Sequence, residues 1–214
     1  MSGLLILGAG GHAKVVAETA IASGVASNLA FLDDRCRGPA ACPPVLGWPV
    51  IGPLALALQS EICLQFDCAF VAIGHAATRL YWIEKLQSVG YTLPVLTHPT
   101  AWISSSAQIG PASVVFAHGA VQAQAFIGKG AILNTSCSVD HDAILFDAVH
   151  VCPGARLAGE VIVGARSWIG IGASVIQQVS IGSDVIIGAG AAVVGDLPDG
   201  VTAVGVPARV LSSS

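Results

Sequence analysis

Broken every six residues from Ile103 to Val193, the chain reads ISSSAQ IGPASV VFAHGA VQAQAF IGKGAI LNTSCS VDHDAI LFDAVH VCPGAR LAGEVI VGARSW IGIGAS VIQQVS IGSDVI IGAGAA V. Every hexad opens on Ile, Val or Leu, and its fifth place holds a small or β-branched residue. A period of six fits neither a helix nor a plain strand. It fits a chain that turns a corner every six residues, with one aliphatic side chain per side pointing inward. Three sides make a coil, and stacked coils pair along an axis as a parallel β-helix. The competing arrangement, a β-sandwich, has irregular turns and no fixed six-residue step. Glycine follows the aliphatic residue at Gly110, Gly128, Gly164, Gly170, Gly182 and Gly188, and is expected there to ease the corner dihedrals.

The regular burial of aliphatic side chains accounts for the bulk numbers. Of 214 residues only 10% are charged, and the mean hydropathy is +0.76. No apolar run approaches the ~18–20 residues that would span a bilayer, so a membrane protein is not expected. The apolar faces left over suggest packing on other subunits. A net charge of −4 without runs of Lys or Arg argues against nucleic acid as a partner. Met1-Ser2-Gly3 has no basic region before the first apolar strand, so no signal peptide is expected. The six cysteines form no C-x-x-C pair and read as reduced residues of a cytoplasmic protein.

Residues 1–100 carry a different pattern. Leu4–Leu7 is a short apolar strand, followed by Gly8-Ala9-Gly10-Gly11-His12, a helix over Ala13–Ser23 and a second strand ending at Asp33-Asp34. Residues 35–50 read as loop, Pro53–Gln59 as a short helix, Ala69–Ile73 as a third strand before Gly74-His75, Thr78–Val89 as an amphipathic helix and Leu93–Leu96 as a last strand. The order strand, glycine turn, helix, strand is that of a mononucleotide-binding unit. Gly8-x-Gly10-x-x-Ala13 matches the dinucleotide fingerprint. About one hundred residues form barely one such half, however, so the expectation is a nucleotide diphosphate rather than a hydride-carrying cofactor. A phosphate would sit at the helix N-terminus and a carboxylate after the second strand would accept a ribose or base hydrogen bond. A tight turn with no ligand is the alternative. The expected organisation is 1–100, then the repeat over 101–198, then a tail over 199–214 that Pro207 turns away from the prism.

Of six histidines, His141 stands out. It is the third residue of its hexad, off the inward row, and lies between Asp140 and Asp142. A carboxylate beside an imidazole raises its basicity, which suits removal of a proton from an attacking amine. A solvated acidic corner is the alternative. His150 lies nine residues on, on another side of the coil. Asn134, seven residues before His141, could hold an acceptor or simply bond a corner. The spacings of His118, His141 and His150 fit no zinc site, and no metal is expected.

The two halves together resemble the bacterial sugar acetyltransferases that join a small Rossmann-like α/β domain to an all-β left-handed parallel β-helix of hexapeptide repeats. These include the bacillosamine- and perosamine-pathway N-acetyltransferases and the sialic acid O-acetyltransferases. The resemblance rests on Gly8–His12, Asp33-Asp34, Ala72-Ile73-Gly74, Asn134, Asp140-His141-Asp142, His150 and the closing run Gly205–Val210. It implies His141 as general base with Asp142 as its partner. It also implies nucleotide-sugar contacts at Gly10, Gly11, His12, Asp33, Asp34 and Gly74, and acetyl-CoA contacts at His150, Ile171 and Ala189 between the prisms of a homotrimer. The expected activity is acetyl-CoA-dependent N-acetylation of a nucleotide-linked 4-amino-4,6-dideoxy sugar. GDP-perosamine is the first expected acceptor and a UDP- or dTDP-linked sugar the next. The alternatives are O-acetylation of a sialic acid and a non-catalytic nucleotide-sugar-binding scaffold.

Overall fold

A computed structural model describes residues 3–36 and 42–211 and divides the chain into two compact units, Met1–Thr97 and His98–Ser214. Parts of the expected loop at 35–50 and of the tail, together with the first two residues, lie outside the described residues. Among those described, no helix is long and apolar enough to cross a membrane.

The first unit is built on a four-stranded parallel sheet. Its strands are β1 (Gly3–Leu7), β2 (Asn28–Leu32), β3 (Val50–Gly52) and β4 (Cys68–Val71), in the order β3-β2-β1-β4. Leu4 to Leu7 are wholly buried, as an apolar run covered on both faces requires. Helix α1 (Gly11–Ala22) crosses from β1 to β2. A 3₁₀ turn (Leu54–Leu58) and the short α2 (Ser60–Cys63) precede β4, and α3 (Ala76–Ser88) follows it. The expected loop thus contains β3. The expected last strand is reduced to a bridge from Thr92 to Cys68 and a two-residue strand, Leu96–Thr97. One expectation is overturned: Cys36 and Cys42 are not both thiols but share a disulfide, their Cα atoms 5.5 Å apart and within bridging reach. Cys137 and Cys152 remain thiols, and burial pushes both up to about 12.

In the second unit, two-residue strands stack eighteen residues apart into three walls. Phe126, Ile144 and Ile162 stand in one, Ile132, His150 and Trp168 in the next, and Ser138, Arg156 and Ser174 in the third. The first residue of each hexad from Val115 to Val193 is at most 3% exposed. With the small fifth-place residues these side chains form one continuous core. The corners correct the sequence reading. The fourth residue of every hexad from Ala112 to Gly190 takes φ between 56° and 67°, and most of these residues are not glycine. The glycines after the aliphatic row serve contact instead of dihedral freedom. A Cβ on Gly110 would lie 2.7 Å from Lys129 N, and one on Gly128 2.7 Å from the Phe146 carbonyl carbon, both one coil on. The tail does not leave the prism. Thr202–Val204 extends one wall, and after the cis Val206–Pro207 bond Arg209–Val210 runs antiparallel to it.

Candidate functional site

His141 is the third residue of a corner on the outside of the prism, and its side chain is 55% exposed. The next residue, Asp142, adopts φ 57°, which swings its carboxylate alongside the ring. Its Oδ2 lies 2.8 Å from His141 Nδ1. Asp140 acts on the backbone, its Oδ1 accepting from the His141 N–H at 2.8 Å. The two flanking carboxylates therefore differ: Asp142, the expected partner, holds the ring and Asp140 holds the turn. The Asp142 hydrogen bond, and then the charges of Asp140, Asp142 and Glu160, raise the imidazole above its ordinary value of 6.5. With Nδ1 committed to Asp142, Nε2 is the nitrogen left to take a proton from outside. Glu160 was missed by the sequence reading, although adding one coil of eighteen residues to Asp142 reaches it.

His150 occupies the outward row of another wall and is only 8% exposed. Trp168, one coil on, covers it, the ring centroids 4.1 Å apart at 58°. Asn134 Nδ2 lies 3.3 Å from His150 Nε2 while its Oδ1 accepts from Thr135 N at 2.9 Å. An amide nitrogen only donates, so Nε2 is the acceptor. Asn134 thus bonds a corner and fixes a ring together. Ile171 and Ala189 lie one coil apart at a corner and are exposed. Side chains cap the third-place N–H at Lys129, Thr135, His141 and Ser183. Those of Ile171 and Ala189 meet no acceptor among the described residues and remain able to donate.

In the α/β unit the expected residues gather at the C-terminal ends of β1, β2 and β4. Gly8 adopts φ 104° and packs so closely on the carbonyl of Ala72 that a Cβ would lie 2.8 Å from it. Gly10 caps α1 and Gly11 begins it, both exposed and with open space where a side chain would be. Asp33 Oδ2 accepts from Ala9 N at 2.9 Å, tying the glycine turn to the end of β2. Both carboxylate oxygens of Asp33 also engage the Arg35 guanidinium, which holds Asp33 down to about 2. Asp34 accepts from Leu54 N at 2.9 Å, starting the 3₁₀ turn. His12 is half-buried with Nε2 out of solvent; burial, then the Arg79 charge, lowers it to about 4. Arg79, 1% exposed, donates to the carbonyls of Ile73 and Gly74 at 2.8 and 2.7 Å and so shapes the turn after β4. A cleft of about 360 Å³ opens beside the turn, with Ala9, Lys14, Arg35 and Val45 among its walls. The sequence reading missed Lys14, Arg35 and Arg79. The first two are legible as cations one turn into α1 and two residues past Asp33. Burial of Arg79 has no sequence signal.

Comparison with known proteins follows the same division. A family profile described as the PglD N-terminal domain matches residues 3–86. GDP-perosamine N-acetyltransferase from Escherichia coli O157:H7 is 30% identical over 191 residues, covering 87% of this chain and 83% of that protein. Among solved structures, the acetyltransferase domain of PglB from Neisseria gonorrhoeae FA1090, in complex with acetyl coenzyme A, is 47% identical with a TM-score of 0.89, covering 98% of each chain. A mutant of perosamine N-acetyltransferase from Caulobacter crescentus, in complex with CoA and GDP-perosamine, is 40% identical with a TM-score of 0.93, covering 100% of this chain and 98% of that one. The likeness extends over nearly the whole length of both units, and this chain belongs to the sugar N-acetyltransferase family.

Proposed function

We propose that this protein transfers the acetyl group of acetyl-CoA to the 4-amino group of a nucleotide-linked 4-amino-4,6-dideoxy sugar, with GDP-perosamine the first acceptor to test. The observation that carries the reading is the 2.8 Å contact between His141 Nδ1 and Asp142 on an exposed corner. It leaves Nε2 outward, with its basicity raised. The amine nitrogen attacks the thioester carbonyl, and Nε2 accepts the proton that the nitrogen must lose as the C–N bond forms. The resulting imidazolium is stabilised by the carboxylate already bonded to its other nitrogen. Collapse of the tetrahedral intermediate breaks the C–S bond and releases CoA.

Acetyl-CoA binding is assigned to His150, Ile171 and Ala189. The ring of His150 is fixed by Asn134 and Trp168, and the two backbone N–H groups are free to donate. The nucleotide sugar is assigned to Gly10, Gly11, His12, Asp33, Asp34 and Gly74. Gly10 and Gly11 let a diphosphate approach the start of α1, and Lys14 and Arg35 add positive charge to the adjoining cleft. A homotrimer is part of the proposal. Trp168, Ile171 and Ile186 are 40%, 60% and 50% exposed along one side of the prism, an apolar surface suited to a second copy.

The test is CoA release from acetyl-CoA with GDP-, UDP- and dTDP-linked 4-amino-4,6-dideoxy sugars, run against free sialic acid. Turnover with an aminosugar nucleotide supports the proposal. Faster turnover of sialic acid, or failure of the protein to bind acetyl-CoA, overturns it.

A further inference from the structure

We propose that Gly159 is a positioning residue for the reaction: the place where its side chain would stand is occupied by the imidazole of His141. The inference rests on the assignment of His141 as the base.

Gly159 follows His141 by one coil at the same corner. Ladder bonds lock the backbone there: Glu160 N donates to His141 O at 2.9 Å and Gln178 N to Gly159 O at 3.0 Å. A Cβ built on Gly159 would lie 2.6 Å from both Cε1 and Nε2 of His141 and 3.2 Å from Cδ2. Real Cβ atoms do not approach so closely, so ring and side chain exclude one another.

The backbone does not demand glycine at this place. Its φ lies outside the left-handed region that the fourth-place corner residues occupy. In the hexads from Ile103 to Ala192 the third place is otherwise Ser, Pro, Ala, Lys, Thr, His, Asp, Ile or Gln, and Gly159 is its one glycine. Ala123 and Gln177 flank the pair at the same corner with side chains of their own. The one third place without a side chain is therefore the one beside the candidate base. Gly159 is also buried although His141, Asp142 and Glu160 around it are exposed, because the ring covers it.

With the backbone fixed and the ring in open solvent, an added methyl group displaces the ring rather than the coil. Rotation of the ring separates Nδ1 from Asp142 and carries Nε2 away from the position set for the amine. The fold survives while the base loses its aim, and misplacement by about 1 Å costs on the order of a hundredfold in rate.

The experiment uses Gly159→Ala in the full chain, with steady-state kinetics and titration of the His141 ring by NMR. The expected result is a kcat lower by roughly 10–100-fold with both KM values unchanged, and a His141 midpoint displaced downward towards that of an isolated histidine. An unchanged midpoint overturns the proposal even if activity falls, because the loss then arises elsewhere. His141→Asn, measured in parallel, separates the two claims. Full activity in that variant removes the base assignment, while the Gly159→Ala titration still decides whether the glycine seats the ring. Should Gly159→Ala fold poorly, it is compared in the wild-type and His141→Ala backgrounds. The methyl group is expected to lower Tm only where the ring is present, and an equal loss in both backgrounds overturns the proposal.

Discussion

Two histidines, one in each unit, stand in opposite environments. In the β-helix the interior is aliphatic, and His141 stands outside it among carboxylates, raised above its ordinary value. In the α/β unit His12 is drawn into the protein beside the fully buried Arg79 and lowered to about 4. The first environment makes a ring readier to accept a proton than an isolated imidazole. The second keeps a ring neutral, which suits an uncharged hydrogen-bonding wall. Residue type alone assigns neither role; solvent and the sign of the nearest charge do.

The comparison breaks most sharply at His141. His141→Asn is expected to lower kcat by about 10²–10⁴-fold, with the fold and acetyl-CoA affinity retained. Near wild-type turnover would make the outer-wall ring a bystander. The corresponding changes at His12 are expected to act on KM for the nucleotide sugar and to spare kcat.

The walls themselves are the second point of attack. Leu157 is 1% exposed inside the prism, and its neighbour Arg156 faces out. Leu157→Ala should cost about 2–5 kcal/mol through the cavity it leaves, and Arg156→Ala less than about 0.5 kcal/mol. Denaturant unfolding followed by hydrogen exchange in this unit measures both. Similar values for the two would mean that the wall is not one-sided.

His12 supplies a third effect, read in pH. Its folded value of about 4 lies below the unfolded 6.5, so the unfolded state binds the proton first as pH falls. Stability of the α/β unit should therefore decline between about pH 6.5 and 4, by about 3 kcal/mol from this group at the lower end. His12→Gln should flatten that window, as thermal unfolding across the range would show. An unchanged slope would place the acid sensitivity elsewhere.

What was legible in the sequence follows from the same contrast. The β-helix is periodic, and each coil sees the same inward geometry, so Val115 to Val193 could be placed from spacing alone. His141 could be found as a departure from that spacing. Corner conformation was misassigned, because glycine after the aliphatic residue avoids contact with the next coil while ordinary residues such as Asp142 and Glu160 adopt the left-handed corner. The α/β unit has no repeat. Its glycine turn and Asp33 were visible as a local motif, but the burial of Arg79 and the Cys36–Cys42 bond depend on packing between residues that no period relates.

The smallest effect tests how much of the contrast comes from a single carboxylate. The Asp142 hydrogen bond is the largest cause of the raised His141 value, and the charges of Asp140 and Glu160 stay in place when it is removed. A base must be unprotonated to act, so activity rises with pH through the His141 midpoint, and a raised midpoint puts the acidic limb of kcat at higher pH. Asp142→Asn removes the charge but keeps the shape. It should move that limb to lower pH and reduce the plateau by about tenfold, because a weaker base drives the proton transfer less. Asp140→Asn leaves the Nδ1 contact intact and should move the limb less. If Asp140→Asn instead gives the larger displacement, the ring is governed by the general field of the corner rather than by the bond to Asp142. The difference from His12 would then rest on solvent exposure and the summed charge around each ring rather than on one hydrogen bond.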